Sequence, residues 1–317
     1  MPVPISVLVL NFNRRAELKM TLEAIFAQEN PPAEVIVADN ASTDGSADMV
    51  RGEFTSARLL AMPENIGSRA RRKAAEQASA DYIMMYDDDS SPSTSCDLAR
   101  LASFFEHHPE ISAVCTAIYR TRSNYFETAG WEKFAVGGGP DEGYEGLFVH
   151  GSGTAYRRLD LLASGAFDNE LFWGDEEFDA ALSLAARGFR IVYLPSIVTN
   201  HRASVINRSL ARYYRSAVRN RLLTFRRYFD WPEVLEYSFK ELLYQTLLAR
   251  LWFPHVWLGF AEALSTGYGE PRKERRRLPE STLAYLREVR ERRYPGPLAW
   301  LKLQLDSRRN RMGESGA

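Results

Sequence analysis

Short apolar runs alternate with amphipathic stretches along the first 120 residues of this 317-residue chain. The apolar runs have the length of β-strands and occupy residues 5–10, 34–38, 57–62, 81–86 and 111–117. The stretches between them repeat apolar side chains on one helical face and comprise residues 14–28, 44–54, 67–79 and 96–108. Such strand–helix–strand units predict an α/β fold, a mostly parallel sheet with helices on both faces. In such sheets, ligands bind outside the carboxyl ends of the strands.

The pattern changes after residue 120 and again after residue 201. Residues 120–150 are irregular and rich in glycine, which predicts a loop or a small antiparallel excursion. A helix over residues 175–187 and a strand over residues 190–194 follow. We predict three regions, with these boundaries: a sheet domain (1–202), a helical region rich in basic and aromatic side chains (203–264), and a charged linker, helix and flexible tail (265–317).

Charge is distributed unevenly along the chain, although the net charge is only -1. Residues 201–317 carry 23 basic and 12 acidic side chains, whereas residues 1–200 carry 17 basic and 29 acidic ones. The acidic half could hold a metal or bind polyhydroxylated ligands. The basic half could face a phosphate-bearing partner or an anionic membrane.

The compartment is constrained by cysteine content and hydropathy. The two cysteines, Cys96 and Cys115, cannot form a disulfide framework, and buried free thiols suit a reducing cytoplasm. The amino terminus has no basic segment before its apolar run, and no window contains 18 apolar residues. We therefore expect a cytoplasmic protein with no signal peptide or transmembrane span. Peripheral attachment to the inner face of the cytoplasmic membrane stays open.

Carboxylates cluster at the ends of two predicted strands. Asp87, Asp88 and Asp89 follow the fourth strand, where residues i and i+2 project to the same side, so that Asp87 and Asp89 can face one Mg²⁺ or Mn²⁺ ion. The alternative is a solvated acidic turn. Asp39 ends the second strand and can accept hydrogen bonds from a base or ribose, or it can belong to a helix-capping turn.

A second acidic cluster, residues 175–179, follows the aromatic pair Phe172 and Trp173. Aromatic neighbours raise the pKa of a carboxyl group and can stack on a sugar, which suits a general base. Alternatively, acidic side chains in the first turn of a helix stabilise it by interacting with the helix dipole. This structural role would explain one or two of the acids in the cluster. His201, after the last strand of the sheet domain, can ligate Mn²⁺ or can be structural.

The sequence lacks the motifs that are typical of several other enzyme classes. The chain contains no Walker A loop, no GxGxxG, no HExxH and no paired CxxC. Residues 151–155 resemble a hydrolase elbow only superficially, because glycine stands where the nucleophile should be. A nucleotidyltransferase would bring a Gly/Lys-rich loop after the first strand, and residues 11–14 do not supply one.

Taken in order, these motifs resemble glycosyltransferase family 2, whose members are inverting enzymes with the GT-A fold and include bacterial rhamnosyl- and galactofuranosyl-type transferases. The resemblance covers residues 5 to about 201. The matching segments are residues 6–14, 35–40 with Ser42, Asp44 and Gly45, 64–67 with Arg72, 87–89, 151–157, 167–168 with 172–179, and 188–195 with His201. The resemblance makes residues 1–202 a nucleotide-sugar-dependent catalytic domain.

The resemblance also implies roles for individual residues. The nucleotide sugar would contact Asn11, Asn13, Asp39, Asn65, Arg72, Asp87 and Asp88. The divalent cation, Mn²⁺ or Mg²⁺, would bind Asp87, Asp89 and His201. The catalytic base would be Glu177, with Glu176 as the other candidate. The acceptor side would include Gly151, Gly153, Trp173 and Asp175.

The implied reaction is a metal-assisted single displacement that moves a sugar from a UDP- or dTDP-type donor to a hydroxyl group. The acceptor would be a cell-envelope or polysaccharide glycan or a lipid-linked sugar. A sugar-phosphate nucleotidyltransferase and a non-catalytic sugar-binding scaffold are the alternatives. The helices after residue 203 are interpreted either as a cap packed on the sheet domain or as a peripheral membrane surface. Nucleic acid is not expected as a partner, because no base-reading motif accompanies the arginines.

Overall fold

A computed structural model describes residues 2–167, 171–206, 209–266 and 277–293 of the chain. Its strands are β1 (Val3–Asn11), β2 (Pro32–Asp39), β3 (Ala57–Ala61), β4 (Tyr82–Asp87), β5 (Ser90–Pro92), β6 (Ile111–Arg120), β7 (Tyr125–Phe126), β8 (Gly137–Gly139), β9 (Gly143–Glu145), β10 (Thr154–Arg157) and β11 (Arg190–His201). Its helices are α1 (Arg15–Phe26), α2 (Ser46–Glu53), α3 (Arg69–Gln77), α4 (Asp97–His107), α5 (Arg158–Ser164), α6 (Glu176–Ala185), α7 (Leu210–Tyr228), α8 (Trp231–Ala249), α9 (Phe253–Thr266) and α10 (Glu280–Arg293). Short 3₁₀ turns lie at Trp131–Phe134 and Arg250–Trp252.

The strands form one mixed sheet in the order β3-β2-β1-β4-β10-β6-β11-β9-β8. The strands β1 to β4 run parallel, and β6 runs parallel to β11. The predicted mostly parallel sheet with flanking helices is therefore confirmed, and so is the antiparallel excursion after residue 120, which forms β7, β8 and β9.

One central strand was not predicted. The sequence analysis assigns no strand to residues 151–157, but β10 inserts antiparallel between β4 and β6. It has only four residues and lies among glycines, so its sequence carries little periodicity. The strand β6 consequently keeps the direction of β4 without being its neighbour.

Alternating side chains of the sheet enter two apolar layers. On β1, Val7 and Val9 join the layer formed with α1, α2 and α4, whereas Leu8 joins the layer formed with α3, α5 and α6. Because β1 is buried on both faces, its sequence is apolar throughout rather than alternating. The loops at the carboxyl ends of β1, β2 and β4 are held by this rigid centre.

Helices α7, α8 and α9 pack on one another around a third apolar cluster. Val218 and Leu222 of α7 contact Leu242 of α8 and Val256 of α9. The axes of α7 and α9 approach so closely that a Cβ on Gly259 would lie 2.2 Å from the Arg215 carbonyl oxygen. The helical character predicted for residues 203–264 is confirmed where the structure describes them, while the domain boundary at residue 203 stays a prediction.

The carboxyl-terminal part of the chain is described only in part. Helix α10 belongs to a second compact unit that begins at Pro279. Residues 267–276 of the predicted linker and residues 294–317 of the predicted tail lie outside the described residues. Among the residues that are described, no helix is both long and apolar enough to cross a membrane.

Candidate active site

The site begins where β1 and β2 end side by side. Asn11 and Asp39 are the last residues of these strands and stand opposite each other in the parallel register. The Asn11 amide donates to Asp39 Oδ1 (2.7 Å) and to Ser42 Oγ (3.0 Å). Asn11 Oδ1 is buried and has no hydrogen-bond partner among the described residues, which leaves an acceptor at the predicted nucleotide site.

Asn13 shapes the loops beside this pair. Its backbone is left-handed (φ 53°), its N–H donates to Ser42 Oγ (2.9 Å), and its Oδ1 accepts from the Thr43 N–H (2.7 Å). These bonds join the loop after β1 to the loop after β2. The predicted contact residue therefore also positions the loop around Ser42.

The turn before α3 joins the nucleotide edge to the predicted acceptor side. Asn65 Oδ1 accepts the Gly67 N–H (3.0 Å), and Gly67 has φ 63°. A Cβ at Gly67 would lie 2.0 Å from the Phe172 carbonyl oxygen, so the close approach requires glycine. Ser68 donates its N–H to the same oxygen (2.8 Å). Asn65 and the aromatic segment are thus neighbours in space.

The arginine that faces the site is Arg71. Arg72, the predicted nucleotide contact, donates instead to Glu76 (3.0 Å) and to the Leu162 carbonyl oxygen (3.0 Å) at α5. Arg71 is buried, and its guanidinium pairs with Asp87. Consecutive helical residues project about 100° apart, so only one of the two can point to the strand ends.

The three predicted cation ligands converge. One ligand atom from each of Asp87, Asp89 and His201 lies within 4.8 Å of the other two. The backbone pairing explains the convergence, because the short strand β5 runs antiparallel to β11 and pairs His201 with Ser90. The last residue of β11 is thereby brought beside Asp89.

Asp88 does not belong to this group. It accepts hydrogen bonds from the Phe12 N–H (3.2 Å) and from Arg14 Nη1 (2.9 Å), and the same nitrogen also donates to Asp89 Oδ2 (3.3 Å). Burial and the charges of Asp89 and Asp87 raise the pKa of Asp88 to about 7, against the opposing effect of Arg14.

His201 is held by a carboxylate that sequence inspection did not single out. Glu127 Oε2 lies 2.6 Å from His201 Nδ1, and Arg120 Nε donates to Glu127 Oε1 (2.5 Å). Burial lowers the pKa of His201, but the nearby carboxylates of Asp89 and Glu127 outweigh it and raise the pKa to about 9. Burial raises the pKa of Glu127, yet His201 and the neighbouring cations hold it at about 2.

The ligand set fits a hard divalent cation. His201 Nε2 is buried, lies 3.5 Å from Asp89 Oδ1 and has no hydrogen-bond partner within the described part of the chain. An imidazole nitrogen between two carboxylates is a donor set that Mn²⁺ accepts, and carboxylates also bind Mg²⁺. Metal binding would displace the imidazole proton, as is usual for histidine ligands.

The predicted catalytic pair begins helix α6. Glu176 and Glu177 are its first two residues. Burial raises the pKa of Glu177, while Arg71 and a backbone hydrogen bond from Gly151 oppose the rise. Burial and the adjacent Glu177 charge raise the pKa of Glu176 well above its usual value. Glu176 Oε2 has no partner among the described residues, so Glu177 is the better stabilised anion.

Arg71 connects the acid pair to the cation-binding group. A Cβ on Gly151 would lie 2.9 Å from Glu177 Oε1 and 3.0 Å from Arg71 Nη2, and that nitrogen also pairs with Asp87. Ser152 Oγ donates to the other oxygen of Asp87 (2.8 Å). The carboxylates of α6 and of the β4 end therefore face one buried guanidinium.

The residues predicted for the acceptor side occupy different environments. Trp173 is half-buried and makes an edge contact with the Tyr213 ring at 6.1 Å. Asp175 is partly buried and forms an ion pair with Arg221 of α7 (Nε to Oδ2, 2.6 Å). Gly153 is buried, and a Cβ there would lie within 2.8 Å of core side chains. Asp175 and Gly153 therefore have structural contacts of their own.

Three functional candidates escaped sequence inspection: Arg71, Glu127 and Ser152. Ala74 and Ala75, three and four residues after Arg71, share its helical face and are buried. That pattern could have selected Arg71 over Arg72. Glu127 lies in the irregular segment after β6, where no periodicity indicates which side chain turns inward.

The geometry agrees with the match to a family model. The model for "Glycosyl transferase family 2" matches residues 6–162, which include β1 to β4, the Asp87–Asp89 cluster and β10. The chain belongs to glycosyltransferase family 2. The family expected from the sequence is thereby confirmed.

Two bacterial glycosyltransferases are similar to this chain over part of their length. A putative teichuronic acid biosynthesis glycosyltransferase, TuaG of Bacillus subtilis, is 33% identical over 89 residues, which are 27% of this chain and 35% of TuaG. The O-antigen chain rhamnosyltransferase WbaN of Salmonella anatum is 25% identical over 206 residues, 60% of this chain and 64% of WbaN. The chain thus matches less than two thirds of the length of either relative.

A solved structure with the same fold covers most of the chain. The mannosyltransferase PcManGT of Pyrobaculum calidifontis, in complex with GDP-Man and Mn²⁺, has a TM-score of 0.56 and 21% identity. The match covers 93% of this chain and 82% of PcManGT. The predicted GT-A fold is confirmed.

Proposed function

We propose that this protein is an inverting glycosyltransferase that moves a sugar from a nucleoside diphosphate sugar to a hydroxyl acceptor. One observation carries the proposal. A cation-binding group (Asp87, Asp89, His201) and a buried acid pair (Glu176, Glu177) face each other across Arg71 at the carboxyl edge of the sheet. A transferase of this class needs both parts, one for the leaving diphosphate and one for the acceptor proton.

The donor nucleotide would bind at the ends of β1 and β2. Asn11 and Asp39 are prearranged there by their mutual hydrogen bond, and Asn65 holds the adjoining turn. We assign the cationic contact near the diphosphate to Arg71 rather than Arg72, because Arg71 lies beside Asp87. The GDP-Man bound by PcManGT supports a nucleoside diphosphate sugar as the donor class. A UDP- or dTDP-type donor is our specific proposal.

Asp87, Asp89 and His201 would hold the cation. A divalent ion at this position supplies positive charge that stabilises the leaving diphosphate. Neighbouring residues would position this group. Glu127 orients the His201 ring, and the ion pair of Asp88 with Arg14 holds the loop after β4 in place.

Glu177 would act as the base. The acceptor oxygen attacks the anomeric carbon while Glu177 takes its proton, and the bond from that carbon to the diphosphate oxygen breaks. A single displacement inverts the anomeric centre. Glu176, whose pKa is raised further, would stay protonated beside Glu177 and would not add a second negative charge.

The two alternatives account for fewer of these features. A nucleotidyltransferase does not need a base buried next to an aromatic segment. A sugar-binding scaffold does not need Glu176 Oε2 buried without a partner in the described structure, because such a group costs stability and persists where function requires it. Family membership also favours transfer over both.

The acceptor would be a glycan of the cell envelope or a lipid-linked sugar, made at the cytoplasmic side of the membrane. The names of TuaG and WbaN refer to teichuronic acid and to O-antigen chains, both of which are polysaccharides, and this supports a polysaccharide acceptor here. The half-exposed Phe172 and the neighbouring Trp173 offer rings on which such a sugar could stack.

The proposal is tested by incubating the purified protein with Mn²⁺ and a panel of sugar nucleotides, with and without oligosaccharide acceptors. We expect release of nucleoside diphosphate from one donor, dependent on Mn²⁺ and absent in Asp89→Ala. Release of pyrophosphate from a sugar phosphate and a nucleoside triphosphate would instead identify a nucleotidyltransferase. Donor binding without release of either product would favour the scaffold.

A further inference from the structure

One arginine of α7 lies over the aromatic segment that precedes α6. The Cζ atom of Arg212 is 5.3 Å from the centre of the Phe172 ring and 5.9 Å from that of the Trp173 ring. Contacts of this length attract a guanidinium to the ring faces. Arg212 is exposed, and Phe172 is 36% exposed. The three side chains therefore form one accessible surface, which we call the arginine–aromatic patch.

The guanidinium of Arg212 has no acidic partner in the described part of the chain. No hydrogen bond or ion pair joins its side chain to another described residue, whereas Arg215 and Arg221 of the same helix pair with Glu262 and Asp175. Stacking on a ring uses the face of the guanidinium and leaves the N–H donors along its edge available. Such a fork of donors matches the two oxygens of a carboxylate or a phosphate.

The fold has little need of a cation at this position. Arg212 is the third residue of α7, where a positive charge opposes the helix dipole. The residues three and four positions further along, Arg215 and Ser216, offer no negative charge. The aromatic segment is already held on α7, because Asn220 donates to the Trp173 carbonyl oxygen (3.1 Å). A role in binding a ligand therefore explains the arginine better than a role in the fold.

The arginine–aromatic patch adjoins both parts of the proposed active site. On the side of the nucleotide, the Phe172 carbonyl oxygen accepts the Ser68 N–H (2.8 Å) in the turn before α3. On the side of the base, Trp173 lies four residues before Glu177. Partial burial raises the pKa of Tyr213, the ring that contacts Trp173, and the charge of Glu177 adds to the rise. The patch thus lies within the electrostatic reach of the proposed base.

We propose that Arg212 selects an anionic acceptor, whose carboxylate or phosphate group binds the guanidinium while its sugar lies against Phe172. The cation would also offset the repulsion between such an acceptor and the acids that begin α6. The inference rests on the proposed sugar transfer and deepens it, because it names the charge that the acceptor carries. Two sources can supply this charge: a uronic acid of the glycan, or the diphosphate of a lipid-linked sugar.

Titration of the full-length protein, followed by ligand-observed NMR in the presence of EDTA and without any donor, tests the selection. The carboxylate probes are trigalacturonic acid and its neutral methyl ester. The diphosphate probes are N-acetylglucosaminyl diphosphofarnesol and the neutral farnesyl N-acetylglucosaminide. The test variants are Arg212→Gln and Arg212→Lys. The matched control is Arg187→Gln, which removes another exposed arginine, just beyond the opposite end of α6 from Glu177.

We expect the wild type to bind at least one charged probe about tenfold more tightly than its neutral counterpart, as a charge-assisted pair of hydrogen bonds would give. Arg212→Gln should remove most of this preference. Arg212→Lys should restore part of it, because lysine keeps the charge but lacks the planar fork of donors. Arg187→Gln should keep the preference of the wild type.

The outcomes separate the two sources of charge. A preference for trigalacturonic acid alone identifies a uronic acid, and a preference for the diphosphate probe alone identifies the lipid-linked sugar. The proposal is overturned if no charged probe binds, if charged and neutral probes bind the wild type equally, or if Arg212→Gln keeps the preference. Matching thermal unfolding curves exclude misfolding of the variants. Because the titration contains neither donor nor metal, its failure leaves the proposed sugar transfer untouched.

Discussion

At the scale of single residues, the environment separates two adjacent glutamates that look equivalent in the sequence. Glu177 lies near Arg71 and receives a backbone hydrogen bond from Gly151, whereas Glu176 is buried with an unpartnered oxygen in the described structure. The negative charge of the pair is therefore better accommodated on Glu177. This difference supports the proposal that Glu177 is the base and that Glu176 stays protonated beside it.

Replacing Glu177 by glutamine is expected to lower kcat by about 10²- to 10⁴-fold, the usual contribution of a general base. The amide keeps the shape of the side chain but cannot take a proton. Donor binding, measured by calorimetry with the nucleoside diphosphate and Mn²⁺, should change little. Glu176→Gln is the matched control and should retain most of the activity. An active Glu177→Gln enzyme would exclude this residue as the base.

The pH dependence of kcat follows from the same group. A base works only when ionised, and burial raises the pKa of Glu177 above its ordinary value of 4.5. Activity should therefore fall as the pH decreases, with its midpoint above pH 4.5 rather than below it. Glu176→Gln should leave this midpoint nearly unchanged, because a neutral amide replaces a neutral carboxyl group. A large shift in that variant would show that Glu176 is ionised in the working enzyme.

Glu127 is expected to act as a positioning residue for His201. Its carboxylate holds Nδ1 of the imidazole at 2.6 Å and so directs Nε2 toward Asp89. Removing such an outer partner commonly costs 10- to 100-fold in metal affinity. Glu127→Gln should weaken Mn²⁺ binding by about 10-fold or more in a titration followed by electron paramagnetic resonance, without any donor present.

The control for Glu127→Gln is Glu132→Gln, which changes an exposed carboxylate in the same segment of the chain. It should bind Mn²⁺ like the wild type. If both variants bind the ion equally well, Glu127 does not position His201.

At the scale of elements, α7 is the link between the catalytic sheet and the helices that follow. Asn220 donates to the Gly174 carbonyl oxygen (2.6 Å), Arg221 pairs with Asp175, and Arg227 pairs with Asp179. Asp179 is completely buried at the start of α6. Two of the acids that the sequence placed in a catalytic cluster thus hold α6 against α7.

Arg227→Met tests this structural role. The change takes a cation away from the buried Asp179, and breaking a buried ion pair typically costs about 3 kcal/mol in the free energy of unfolding. Chemical denaturation measures the loss. Arg215→Met on the same helix breaks an exposed pair with Glu262 and should cost less than about 1 kcal/mol. Equal stability of the two variants would mean that the Arg227 pair does not stabilise the α6–α7 contact.

At the scale of the whole molecule, the acidic excess of the first half of the chain has a defined place in the fold. Acidic side chains gather at the carboxyl edge of the sheet, where Asp87, Glu176 and Glu177 surround Arg71 and Asp89 lies near Asp87. The basic excess of the second half lies outside α8 and α9, because residues 231–264 carry two basic and four acidic side chains. A sugar nucleotide with its cation suits the acidic edge of the sheet.

Much of the architecture was predictable because it follows from local pattern. Strands buried on both faces, such as β1, are apolar throughout, and the helices between them repeat at 3.6 residues. The strand β10 was not predicted because its extended conformation does not follow from a local pattern. Its four residues are extended because they pair with β4 on one side and β6 on the other. The cation ligands were predictable from their place at strand ends, while Glu127 was not.

The sequence by itself determined most of the order of strands and helices, the family, and the polar side chains that end up at one edge of the sheet. Only the tertiary structure decided which of two neighbouring arginines faces Asp87, which of two adjacent glutamates has a buried oxygen without a partner in the described structure, and that Asp175 pairs with Arg221. Local periodicity depends on a residue and its near neighbours in the chain. The direction and pKa of a buried polar side chain depend on groups far away in the chain, such as those paired in Arg71–Asp87, 16 residues apart, and in Glu127–His201, 74 residues apart.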